Sequence, residues 1–335
     1  MSASPLSPVS RHRHQRGAAL LLAMLVVTLV ASLSAASLWH QWKAVELESA
    51  ERQRLQASLL LTGALDWARL ILREDARGNR NSGNADHLGE PWATPLAEAR
   101  LSSFLAADHN DTGDDLLPAF LSGDIQDLQS RLNFRNLVRT TGRGAQAQAS
   151  LSEPDLAAFL RLYETLGLPE EELQAAVRRL LTSTRKALND PEPSASPLIP
   201  QRFAQLEWLG ISPRSLQRLA PHVMVLPQVT TLNLNTASPE ALAASVPGLD
   251  LASAQVLAVV RANAPFTSLE TVKARLGATA AAQITADRHS VRTNHFEIRV
   301  RLRLDALRVE ERATVVRNGL DVRVLWRDRV PWPGS

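Results

Sequence analysis

Residues Arg11–Lys43 read RHRHQRGAALLLAMLVVTLVASLSAASLWHQWK, and this stretch decides the fold. It joins a basic cluster to a long uncharged run through one glycine, Gly17. From Ala18 to Leu38 there is no charged residue. As a helix that run covers about 31 Å, enough for the hydrocarbon core of a bilayer. A cleaved secretory signal has a shorter apolar region. The triplet Ser34-Ala35-Ala36 keeps signal cleavage open, with a mature N-terminus near Ser37. Arg11, Arg13 and Arg16 precede the run, which puts the N-terminus in the cytoplasm and the bulk of the chain across the membrane.

Outward from that run the chain continues without proline or glycine until Gly63. Leu47, Ala50, Leu55, Leu59, Thr62 and Ala68 fall near helical spacing, and Glu48 and Arg52 stand four apart in the favourable order. This predicts one long helix, half in the bilayer and half on a folded domain.

The totals agree with a folded, multidomain chain. At 335 residues it exceeds a typical domain, and 45% hydrophobic content supports a sizeable core. The absence of cysteine excludes disulfides and thiolate metal sites. Lys and Arg number 37 against 34 Asp and Glu, but three of the arginines lie in the first 17 residues, so the remainder carries 34 of each. A neutral body with 4% aromatics gives no bulk reason to bind nucleic acid.

The segment QRGAALLLAMLVVTLVASLSA resembles the N-terminus of type IV prepilin-like proteins. In that superfamily a prepilin peptidase cuts after the glycine, which implies a cut between Gly17 and Ala18 and N-methylation of the Ala18 amine. The usual glutamate at the fifth residue after the cut is replaced by Leu22. Its loss is typical of the minor pseudopilin K of type II secretion systems. Two further stretches, GDIQDLQSRLNFRNLV (Gly123–Val138) and VTTLNLNTASPEAL…TVKARLG (Val229–Gly277), resemble parts of that family. The resemblance implies a non-enzymatic subunit at the tip of a pseudopilus, where it starts assembly for protein export across the outer membrane. Its implied partners are minor pseudopilins I and J, the prepilin peptidase and the inner-membrane assembly platform, with no nucleic acid. Leu22 is the implied tip determinant, and the helix from Lys43 to Leu72 the implied partner contact.

The middle of the chain reads as helical. Ser152 is a candidate N-cap, followed by the apolar face Leu156, Phe159, Leu160, Tyr163 and Leu166 and a stop at Gly167. A second helix runs from Pro169 through Leu188, and two short ones flank Gly210. Thr236–Gly277 has the pattern of a helix-hairpin-helix, a module that can hold DNA phosphates on turn amides. Asp250 stands where the nucleic-acid form has a second glycine, so a packing role is favoured over a membrane-anchored DNA-binding protein of a DNA-uptake system. After Arg288 the pattern becomes alternating. Phe296, Ile298, Val300, Leu302 and Leu304 share one face of a strand, while Arg299, Arg301 and Arg303 share the other as solvated polarity among Glu297, Glu310, Glu311 and Asp321. Thr314–Val316 and Val322–Trp326 supply more strands, and pieces near Arg100–Leu105 and Asp124–Leu137 join them.

The expected class is therefore α+β: a pilin-like long N-terminal helix packed on an antiparallel sheet, split by a large all-α insertion with SAM-like, helix-hairpin-helix-like modules. The expected segments are a leader at 1–17, a transmembrane helix at 18–42, a pilin-like domain at 43–139 that resumes at 288–335, and helical modules at 140–230 and 231–287. In Asp108–Asp115, Asp108, Asn110 and Asp114 are candidate calcium ligands. The twelfth place, Ala119, lacks the required glutamate, so a solvated turn is favoured and no cofactor is expected unless calcium. No HExxH, Walker loop or locally supported serine-histidine-acid set appears.

Overall fold

The computed structural model describes residues 16–82, 85–101, 119–142, 146–189, 198–305, 307–330 and 332. The chain divides into two units, which meet in sequence at Ser58/Leu59. Helix α1, Arg16–Ser82, is unbroken for 67 residues.

In the first unit, α1 exposes its apolar side chains throughout the run that begins at Ala18, from Leu20 and Leu22 to Leu33 and Leu38. A helix this long and apolar can cross a membrane. Two of its hydroxyls bond within the helix, Thr28 donating to the Leu25 carbonyl at 2.9 Å and Ser32 to that of Thr28 at 2.7 Å. Trp39 and Trp42 follow, with ring centroids 5.4 Å apart and Lys43 over Trp39, the composition of a membrane-interface belt. Glu48 and Arg52 form the expected ion pair at 2.5 Å.

The second unit begins with the last part of α1, which covers a sheet of five antiparallel strands in the order β1-β2-β9-β10-β11. These are β1 Leu96–Arg100, β2 Ala119–Asp127, β9 His295–Leu304, β10 Leu307–Asn318 and β11 Asp321–Val330. Leu61, Leu65, Ala68 and Leu72 are the buried face of α1 here. Of the residues at helical spacing, Ala68 is buried, whereas Leu47, Leu55 and Leu59 are exposed. The run LLLTGALDWARLIL is apolar on two sides, so it fits two stripes, and only contact with the sheet chooses one. Each buried leucine contributes about 1.5–3 kcal/mol. Arg69 adds polar fastening, donating from Nε and Nη2 to the Val322 carbonyl at 3.0 and 2.7 Å.

Phe296, Ile298, Val300, Leu302 and Leu304 are buried as the alternation predicts. Their strand pairs with β2 over Ala119↔Leu304 to Asp127↔Phe296. The two-residue turn Gly319-Leu320 joins β10 and β11, with Gly319 at φ +62°. Gly123 is needed for close approach, since a Cβ there would lie 2.5 Å from the Arg299 carbonyl oxygen.

Four strand expectations are corrected. The first strand starts earlier, at Leu96, and the second at Ala119. The last two are far longer than expected. Charge concealed them: Glu310 and Glu311 interrupt the apolar alternation, yet both are buried. Glu310 is held by Arg301 and Arg312 at 2.7 and 2.8 Å, and Glu311 by Arg327 on the other side of the sheet. The arginine row is thus a cross-strand ion ladder rather than solvated polarity, extended by Arg299–Asp124 at 3.0 Å and Arg303–Glu98 at 2.7 Å.

Between β2 and β9 lies the helical part, with α2 Glu153–Thr165, α3 Glu170–Asn189, α4 Pro213–Leu219, α5 Pro239–Ser245, α6 Leu251–Asn263, α7 Leu269–Lys273 and α8 Ala278–Ala282. Short pairings β3–β6 (Leu132–Asn133 with Val223–Met224), β4–β5 (Val138–Thr141 with Gln148–Leu151) and β7–β8 (Leu232–Asn233 with His289–Ser290) bind it together. One continuous core runs through it from Leu132 to Val291, including Phe134 edge-on to Phe159 at 5.4 Å. Ser152 does precede α2, but its hydroxyl donates to Asp155 at 2.6 Å instead of capping an amide. Gly167 and Gly210 end helices with φ +57° and +84°.

Candidate functional site

The residues expected to carry function sit in three places. Gly17 and Ala18 lie in the first turn of α1 as described, and Leu22 is 64% exposed one turn on. Asp108, Asn110 and Asp114 lie outside the described residues, as do residues 1–15 of the leader. In the second unit, the side of α1 turned away from the sheet exposes Leu59 at 74%, Trp67 at 42% and Leu70 at 44%. Gly63 and Asp66 lie on the same side, and a Cβ at Gly63 would meet nothing. This is an apolar helical surface of the kind that takes another helix.

A polar joint connects the sheet, α1 and the helical part, and sequence reasoning missed it. Asp127, at the end of β2, is fully buried. Its Oδ2 accepts from Asn233 at 2.9 Å and Thr236 at 2.5 Å, and its Oδ1 from the Gln129 amide at 2.7 Å. Burial pushes its pKa up to about 6. Asn133 donates to the Gln228 carbonyl and accepts from the Leu226 amide. Asn136 brackets Thr230, donating to its carbonyl and accepting from its amide. Asn235 does the same with Phe266 at 2.9 Å each way. These side chains stand in for backbone partners where irregular chain is buried. They are the polar positions of the two stretches that carried the family resemblance. The signal available in sequence was the density of Asn, Asp, Gln and Thr between apolar residues.

Arg317 on β10 completes the joint. It reaches Asp75 of α1 at 2.7 Å, Asp86, and the Thr293 carbonyl at 3.1 Å, and lies over the Phe296 ring. Asp86 also accepts from the Thr293 amide at 2.8 Å. Glu90 accepts from the His87 amide and from Nε1 of buried Trp92, whose ring is 5.2 Å from Phe296. Carboxylate oxygens of Asp75, Asp86 and Glu90 lie within 4.8 Å of one another, the one such acidic group with metal-ligand spacing among the described residues. Arg317 is the cation in contact with two of them. Burial, then the neighbouring Glu90 charge, raises Asp75 to about 6.

Two further arrangements test other chemistries. Ser245 Oγ and His289 Nε2 are 2.8 Å apart and buried. His289 Nδ1 accepts the Thr285 amide at 3.2 Å, so the ring proton is on Nε2 and is donated to the serine. That is the wrong tautomer for a general base toward Ser245. In the hairpin, Gly248 turns at φ +81°, and Asp250 Oδ1 accepts the Ser253 amide at 2.7 Å. The carboxylate therefore occupies the helix N-terminus that a phosphate would need, and this hydrogen bond lowers its pKa. Asp250 is thus the exposed N-cap of α6.

A long N-terminal helix whose end covers an antiparallel sheet, with a helical part carried between sheet strands, defines the pilin-like α+β class. The crystal structure of the GspK–GspI–GspJ complex from enterotoxigenic Escherichia coli contains a chain of this fold, with a TM-score of 0.59 and 16% identity over 84% of this chain and 99% of that one. The family model for type II secretion system (T2SS), protein K, matches residues 232–292. Type II secretion system protein K of Pseudomonas aeruginosa is 29% identical over 69% of this chain and 68% of its own length. The protein of the same name from Pectobacterium carotovorum is 24% identical over 93% and 96%. In sequence the chain is thus similar to the type II secretion system protein K family of minor pseudopilins, and in fold to the chain of that complex.

Proposed function

We propose that this chain is a minor pseudopilin of the protein K kind, which sits at the tip of the pseudopilus and starts its assembly, with minor pseudopilins I and J as neighbours. The observation that carries the reading is the continuity of α1. An uncharged, wholly exposed run passes without a break into the helix that covers the sheet. Before assembly, lipid surrounds that run, with the N-terminus cytoplasmic and the bulk of the chain periplasmic. Cleavage by the prepilin peptidase between Gly17 and Ala18 removes the basic leader and frees the Ala18 amine, the site of methylation. The assembly platform then moves the helix from lipid into a bundle of sibling helices, an exchange between two apolar surroundings.

Leu22 supports the tip placement. A carboxylate in an apolar helix is costly unless it meets a cation, and a filament subunit meets one in a neighbour's free amine. Leu22 needs no such neighbour. The complex formed by the related K, I and J proteins supports the choice of partners. The side of α1 bearing Leu59, Trp67 and Leu70 is the contact surface. The reading requires no cofactor and no catalytic group.

N-terminal sequencing of the membrane-extracted chain tests it. With the peptidase present the chain is expected to begin at Ala18, and without it at Met1. Gly17→Leu is expected to leave unprocessed precursor in the inner membrane and block secretion. Normal processing of that variant would overturn the reading.

A further inference from the structure

The helical part carries a second surface, formed by elements other than α1. Leu173–Asn189 and Leu198–Pro239 together contain seven Lys and Arg residues and a single acid, Glu207. Glu170, Glu171 and Glu172 at the start of α3 and Glu240 in α5 bound these stretches, so the excess of positive charge is confined to them. Within it lies an open pocket of about 720 Å³. Arg178, Arg179 and Thr182 of α3 form one wall, and Leu198 and Trp208 the other, with Leu209 between them.

Three features mark the pocket as built for a ligand. Trp208 is 52% exposed and Leu198 68%, a costly pair to leave in water side by side. Leu209 is buried, so the pocket has a firm floor. Arg179 is fixed by donating to the Leu209 carbonyl at 2.6 Å, whereas the exposed Arg178 guanidinium has no ion pair or hydrogen bond among the described residues. The lining contains two cations and no carboxylate.

We propose that this pocket docks an acidic peptide segment of another protein, seating one bulky apolar side chain against Trp208 while a flanking carboxylate pairs with Arg178. Charge complementarity selects the occupant: an unpaired guanidinium at the edge of an apolar pocket recognises a carboxylate beside a greasy side chain. Single-stranded nucleic acid binds on a row of aromatic platforms, and this lining holds one indole. A lipid surface takes protruding apolar groups, and this site is concave.

The test uses the full-length chain in detergent and two synthetic peptides, acetyl-Asp-Glu-Phe-Asp-Glu-amide and its counterpart with glycine for phenylalanine. Calorimetric titration is expected to show the aromatic peptide binding at least about tenfold more tightly. Trp208→Ala and, separately, Leu198→Gln are expected to remove most of that preference. Arg178→Gln is expected to weaken binding of both peptides about fivefold and to flatten its salt dependence. All three residues are exposed, so unchanged thermal melting verifies folding. Equal affinity for the two peptides would overturn the proposal. So would indifference to Trp208→Ala and Leu198→Gln, or tighter binding of duplex DNA or phosphatidylglycerol vesicles that depends on Trp208.

Discussion

Nη1 of Arg317 lies 2.7 Å from Oδ2 of Asp75, joining the tenth strand to the last turns of the long helix across 242 residues of sequence. The same guanidinium holds Asp86, and all three side chains are almost wholly buried. One cation therefore ties the helix, the segment after it and the sheet together.

Arg317→Ala leaves two buried carboxylates without their cation. The expected loss is about 3–5 kcal/mol, because the charges stay buried while their partner is gone. Urea denaturation of the detergent-solubilised chain reads this as a lowered midpoint. Adding Asp75→Asn and Asp86→Asn to the same chain is expected to recover part of the loss, which separates the electrostatic cause from lost packing.

Acid sensitivity has two opposed parts. Asp75 and Asp127 are raised from 3.8 to about 6, so the folded chain binds more protons than the unfolded chain between those values. Their effect is to favour the folded state below pH 4 and to withdraw that advantage as pH rises through 6. Burial lowers His289 and His295 from 6.5 to about 4. Their contribution is present above pH 6.5 and is lost as pH falls towards 4. The two pairs offset each other between pH 4 and 6. Asp127→Asn removes one side of the balance. Its destabilisation relative to the parent is expected to be larger at pH 5 than at pH 7 by roughly 1 kcal/mol, read from denaturant midpoints at both pH values.

Leu59→Gln with Leu70→Gln changes only exposed positions of α1. Stability is expected to stay within about 0.5 kcal/mol of the parent, since surface changes cost little. Co-purification with minor pseudopilins I and J is expected to fall at least about tenfold. Retention of the complex would move the contact elsewhere on the chain.

Much of this architecture was readable in the chain itself. The uncharged run, the glycine that opens it and the unbroken helix after it need only local information, since helix length is set by rise per residue. Alternation exposed β9 for the same reason. The stops at Gly167 and Gly210 were equally local. Strands β10 and β11 were shortened in that reading because Glu310, Glu311, Arg327 and Arg329 look like surface residues until strand pairing sets arginine beside glutamate. The Trp208 pocket was invisible for a related reason, since its two walls come from separate segments.

What the sequence determined alone is the long apolar helix, the alternating strand after Arg288 and the helical character of the middle, all of which follow from periodicity along one segment at a time, while the pilin-like class came from resemblance. Tertiary structure decided which side of α1 is covered, which charges are buried, and that Asp75, Asp86, Asp127, Asn233 and Arg317 form one joint. Those outcomes depend on residues as far as 253 positions apart meeting in a buried site. There the cost of an unpaired polar group, which no single segment reveals, fixes the partners.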